Sequence, residues 1–140
     1  CQPLSGLIAE MLAVCPQIHC LRDATRGGIA TVLNEFAQDS GVCIHLWEQQ
    51  IPVREVVQGV CEILGLDPLY LANEGTLVAV VPADQAEIVL STMRTHPAGQ
   101  HSCQIGVVSE SPKGRVILQT TFGGERVVDV LYGEQLPRIC

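Results

Sequence analysis

The sequence predicts an α/β domain in which helices pack on a mixed β-sheet, and three observations predict it. Helix-spaced and strand-like segments alternate through the first two thirds, the last third reads as three strand-like runs joined by turns, and no internal repeat or low-complexity stretch interrupts them. Alternation followed by a meander is the pattern of one sheet carrying helices. The 140 residues suit a single domain with its own core. With aromatics at only 4%, that core must be built from Val, Ile, Leu and Ala.

Each element has its own signal. Residues 3–15 place Leu4, Leu7, Ile8, Met11, Leu12 and Cys15 at helical spacing and stop at Pro16. Residues 18–22 form a short strand candidate, and residues 23–41 read as a polar turn feeding a helix. Ile29, Val32, Leu33, Phe36 and Ala37 are its expected buried stripe, with Gly41 as its stop. Residues 42–48 alternate as a strand does. A helix is expected from about Val53 to Leu64, with Pro52 at its start and Val56, Val57, Val60, Ile63 and Leu64 facing inward. The apolar run 76–82, bounded by Gly75 and Pro82, suits a buried strand. Residues 83–96 read as a helix with Asp84 as its N-cap. Residues 103–111, 114–122 and 125–132 are the closing strands. The pattern ends there, giving an α/β domain over 1–132 and a mobile tail over 133–140.

Charge and composition exclude several functions. A net charge of −7 and only eight scattered Lys and Arg residues leave no basic stripe for nucleic acid. No apolar run approaches the roughly 18 residues of a membrane span, and no signal sequence opens the chain. The chain starts at Cys1 rather than Met, which fits a piece of a longer protein. Seven widely spaced cysteines are an odd number and suit reduced cytosolic thiols better than a disulfide framework. Cys43 and Cys61, within apolar-periodic segments, are expected to be small buried hydrophobes.

Four places could carry chemistry. In "RDATRGG", Arg22 to Gly28, two glycines opening a helix expose backbone N–H groups beside Arg26. That suits a phosphate or carboxylate, or else a plain helix start capped by Asp23 or Thr25. Neither standard nucleotide-binding glycine motif occurs. In "ANEG", Glu74 stands before an apolar strand, either as a base raised by desolvation or as a turn residue facing water. Cys15, His19, Cys20, His96, His101 and Cys103 are zinc-type ligands without C-x-x-C or finger spacing, so no metal site is expected. Finally, the chain ends "GEQLPRIC", and the seven residues beyond Gly133 can span about 23–25 Å when extended. A terminal thiol on such a tether could visit two sites and carry a group between them, or be a frayed end.

"DATRGG" followed by Asn34-Glu35, then "ANEG", then a terminal "PRIC", together resemble the HypE family of hydrogenase maturation proteins. The resemblance covers essentially the whole chain but only the C-terminal domain of that family, within the aminoimidazole ribonucleotide synthetase and selenophosphate synthetase superfamily. It implies that a carbamoyltransferase, HypF, loads a carbamoyl group onto Cys140. ATP then drives its dehydration to thiocyanate, and the cyano group passes to iron on a HypC–HypD complex. ATP and Mg would be bound mainly by an N-terminal domain absent from this chain, and the full-length protein would be a cytoplasmic homodimer. Glu74 would be a catalytic residue beside Cys140, with Asp23, Arg26, Gly27 and Gly28 lining the cleft. An apolar face normally covered by the missing domain would be open. The competing readings are a non-catalytic partner-binding or regulatory module and a thiol redox carrier. The absence of a C-x-x-C pair disfavours the latter.

Overall fold

A computed structural model describes residues 3–130; the expected domain end at 132 and the tail 133–140 lie outside the described residues. Ten regular elements follow in order: α1 (Ser5–Val14), β1 (Cys20–Ala24), α2 (Gly28–Ser40), β2 (Cys43–Trp47), α3 (Glu55–Leu64), β3 (Asn73–Val80), α4 (Ala86–Thr95), β4 (Gly106–Ser109), β5 (Arg115–Gln119) and β6 (Glu125–Val127). The α/β class is as the sequence predicts. The strands do not form one sheet, however. β1 and β3 pair as an antiparallel ribbon, while the other four form a sheet in the order β4-β2-β5-β6. Within it β2 runs parallel to β5 and antiparallel to β4, so the sheet is mixed.

The period-two alternation of the ribbon explains why it stands apart. Leu21 and Leu77 turn toward α1 and α4, joining the core of Leu7, Met11, Cys15 and Val89. Val78, on the opposite face, joins the larger core beneath α2. There Ala30, Leu33 and Ala37 of the helix meet Ile44, Leu46, Val116 and Leu118 of the sheet. Each fully buried aliphatic side chain stabilises the fold by roughly 1.5–3 kcal/mol, so α2 is held mainly by its apolar stripe.

Gly41 ends α2 in the left-handed conformation, with its N–H turned back to Ala37 and Gln38 carbonyls, as the sequence predicts. Cys43 and Cys61 are buried, also as predicted. Two expectations are corrected. Asp84 does not cap α4: the chain leaves Pro82 through a 3-10 turn at Ala83–Gln85, the helix starts at Ala86, and no side chain caps it. The larger correction concerns α3, which begins at Glu55 and not near Val53. Val56, Val60, Ile63 and Leu64 are 79, 48, 84 and 63% exposed, and Val57 is also open. The helix packs on the short turn Pro68–Tyr70 and buries Cys61, while its apolar stripe looks outward.

Candidate functional site

The ribbon brings two of the sequence motifs together. Cys20 to Asp23 pair in step with Val80 to Leu77, but Ala24 pairs with Asn73. The jump in register leaves Glu74, Gly75 and Thr76 in a bulge on β3, and Gly75 takes a φ of +85° there. A bulge re-aims side chains at the end of a strand, and here it sets Glu74 beside the "DATRGG" turn. Glu74 is exposed, so the described residues do not bury it.

The turn is built from its two glycines. Gly27 is the N-cap of α2 at φ +65°, and Gly28 follows at φ +64°. Gly28 is buried against the Pro68–Tyr70 turn: a Cβ there would lie 2.3 Å from the Leu69 carbonyl oxygen and 2.8 Å from that of Leu71. Only glycine fits both the backbone and the space. The helix start has no side-chain cap; Thr25 instead donates its hydroxyl to Asp23 at 3.3 Å. The reading of Asp23 or Thr25 as the cap is therefore corrected, and the first N–H groups of α2 are not taken by a side-chain cap.

Charge at this end is divided between two arginines. Arg22 forms an ion pair with Glu35 of α2. Arg26 is exposed and, among the described residues, has no ion-pair partner. Arg22, Asp23, Thr25, Arg26 and Val32 line a shallow depression of about 270 Å³. Uncapped N–H groups, a helix dipole and a guanidinium at one rim can hold an anionic group. A carboxylate bulge adjoins them on β3.

Asn34 of the Asn34-Glu35 pair, with Tyr70 and Arg126, which the sequence did not single out, ties the chain near its C-terminal end to this region. Asn34, buried in α2, donates to the Val128 carbonyl at 2.8 Å. The Tyr70 hydroxyl donates to the Asp129 carbonyl at 2.7 Å, and burial, reinforced by nearby Asp67, pushes its phenol up. Arg126 pairs with Asp67 at 2.5 Å. Nothing in one sequence marks these contacts, since each joins residues about sixty or more positions apart. Only the placing of a polar Asn34 among the apolar residues of α2 hinted at a buried role.

The described thiols are not poised for chemistry. Cys15, Cys43 and Cys61 are buried, and burial pushes Cys20, Cys43 and Cys103 up. Among the described residues no three His, Cys, Asp or Glu side chains are grouped to hold a metal. Cys140 lies outside the described residues. No helix among them is long and apolar enough to cross a membrane.

Comparison with known proteins places this geometry. The chain is 56% identical over 139 residues to the carbamoyl dehydratase HypE of Azotobacter vinelandii, covering 99% of this chain and 41% of that protein. It is 55% identical over 137 residues to the HypE of Cupriavidus necator, covering 98% of this chain and 39% of that protein. Among solved structures, a hydrogenase maturation protein HypE superposes with a TM-score of 0.92 at 45% identity, over 98% of this chain and 44% of that one. A HypE–HypF complex gives 0.86 at 44% identity, over 91% and 41%. HypE in complex with ATP gives 0.82 at 48% identity, over 89% and 38%. The chain thus spans about two fifths of the length of the curated relatives it matches. The pattern of the family described as "AIR synthase related protein, C-terminal domain" matches residues 2–119, and the chain belongs to that family.

Proposed function

We propose that this chain is the C-terminal domain of an ATP-dependent carbamoyl dehydratase of [NiFe]-hydrogenase maturation, with Cys140 as the atom that carries the substrate. The observation that carries the reading is the pairing of Ala24 with Asn73, which brings the "DATRGG" turn and the Glu74 bulge to the same end of the ribbon. The identity to HypE proteins over nearly the whole chain supports it, as does the superposition on HypE bound to ATP.

The chemistry divides between tether and cleft. A partner like the HypF of the solved HypE–HypF complex loads a carbamoyl group onto the Cys140 sulfur. In the cleft the carboxamide oxygen attacks the γ-phosphorus of ATP, and ADP leaves. The phosphorylated oxygen is then a good leaving group. Loss of the N–H protons to a base and to solvent breaks the C–O bond, releases phosphate and leaves S–C≡N on Cys140. Glu74, on the bulge beside the "DATRGG" turn, is our candidate base. Arg26 and the uncapped N–H groups after Gly27 suit the phosphate formed in that step, with Asp23 shaping the rim. ATP and Mg are held mainly by the part of the longer protein that this chain does not contain. The cyano group passes to iron on a HypC–HypD complex, which supplies the two electrons that release Cys140 as a thiolate, and the full-length protein is a cytoplasmic homodimer.

Intact-mass analysis tests this on the full-length protein incubated with HypF, carbamoyl phosphate and ATP. A carbamoyl adduct that converts to thiocyanate on Cys140 is expected. No adduct, or one that persists in Cys140→Ala, would sink the reading.

A further inference from the structure

α3 carries a surface that the fold of this domain does not explain. Its buried residue is Cys61, while Val56, Val60 and Ile63 stack on a face turned outward. Glu55 and Glu62, both exposed, stand along one border of that stripe. Between the stripe and the two carboxylates sits Gly59. Its backbone φ is not positive, and a Cβ added there would meet nothing within 4 Å. Every other described glycine has a left-handed φ or a neighbour within that distance. Glycine in a helix interior weakens the helix relative to alanine, so the domain by itself has no use for it.

A partner that approaches closely does have a use for it. Gly59 leaves a backbone notch walled by an apolar ridge on one side and two carboxylates on the other. Those walls select a long cationic side chain, its stem against Val56 and Ile63 and its head at Glu55 and Glu62. A second copy of this chain is a poor occupant. Two antiparallel α3 helices would set Glu55 and Glu62 against the same carboxylates of the other copy, on chains of net charge −7.

Position narrows the occupant. The Pro68–Tyr70 turn beneath α3 also holds Asp129 through Tyr70 and touches Gly28. From Asp129 the chain has only eleven residues to run to Cys140. A protein seated on α3 therefore stands within the span that eleven residues can cover from Asp129. We propose that α3 is the docking surface for the carbamoyl-donating partner, which engages it with an apolar segment bearing a Lys or Arg over Gly59. The partner's identity rests on the functional reading above; the surface does not.

The test measures the affinity of full-length protein for purified HypF by biolayer interferometry, with thermal melting and sedimentation of each free variant. Ile63→Glu and Gly59→Leu should each weaken binding tenfold or more, and Gly59→Leu should melt no lower than the parent. Val107→Glu, at an exposed apolar site on β4, should bind as the parent does. Unchanged affinity in both α3 variants overturns the proposal. So does unchanged affinity with a lowered melting point or altered self-association, which would assign the face to the protein's own remaining length or to a second copy. α3-sensitive HypF binding with no adduct on Cys140 would support the docking surface and refute the dehydratase reading.

Discussion

Asn34 donates both of its side-chain amide hydrogens, one to the Ala30 carbonyl within its own helix at 2.9 Å and one to the Val128 carbonyl at 2.8 Å. It is buried within α2, and it fastens that helix to the last described stretch of chain. Asn34→Leu keeps the branched shape of the side chain but leaves the buried Val128 carbonyl without this donor. Such orphaned groups cost about 1–3 kcal/mol, so chemical denaturation should show a loss in that range with an unchanged m-value.

Gly28→Ala should do more damage than Gly27→Ala, although both positions have the same left-handed backbone. At Gly28 the new Cβ meets main-chain atoms of Leu69 and Leu71, which cannot swing aside. At Gly27 the tightest clash is with the Thr31 hydroxyl at 2.1 Å, which can turn away by giving up its bond to the Gly27 carbonyl, leaving a lesser contact with Thr31 Cβ at 2.9 Å. A loss of about 2 kcal/mol or more is expected at Gly28, and thermal melting of the two variants side by side checks the order.

Glu48 reaches across to β5's far end, where its carboxylate accepts from the Thr121 N–H at 2.7 Å and the Thr121 hydroxyl at 2.9 Å. These bonds hold its carboxyl below the usual range. A group with a depressed folded value stabilises the fold above its unfolded value and loses that contribution as pH falls through the folded one. The melting-point gap between parent and Glu48→Gln should therefore be widest near neutrality and close as pH drops below about 4. A gap that widened in acid would contradict the assignment.

Glu74→Gln in the full-length protein should lower the rate of thiocyanate formation by about 10²–10⁴, the usual contribution of a positioned base. ATP affinity and carbamoyl loading of Cys140 should stay near parental levels. Single-turnover mass spectrometry separates loading from dehydration.

Among the described cysteines, burial and raised thiols at Cys20, Cys43 and Cys103 predict slow alkylation at neutral pH. Peptide mapping after brief iodoacetamide treatment should find label on Cys140 well before those three.

Periodicity made α2 and β2 legible, because their partners lie within this domain and the sequence pattern matches the burial. Ile29, Val32, Leu33, Phe36 and Ala37 were the expected stripe of α2, and all five pack in or against the main core. The same logic misplaced α3. An apolar stripe announces that something covers it but not whether the cover belongs to the same domain. Asp84 failed for a local reason: a residue four positions after a strand can enter a 3-10 turn as readily as it can cap. At the site, the motifs "DATRGG" and "ANEG" were legible individually. Their adjacency was not, since it depends on a register jump between strands nearly fifty residues apart. The contacts of Tyr70, Arg126 and Asn34 were invisible for the same reason.

The position of β2 between β4 and β5 also sets a timetable. Both of its neighbours arrive about sixty or more residues later in the chain. Pairing over such separations is slow, because a long loop must close before any contact rewards it. During synthesis Ile44 and Leu46 must therefore wait as an unpaired apolar strand until the last third of the domain emerges. That interval is when the nascent protein is most exposed to aggregation and most in need of a chaperone.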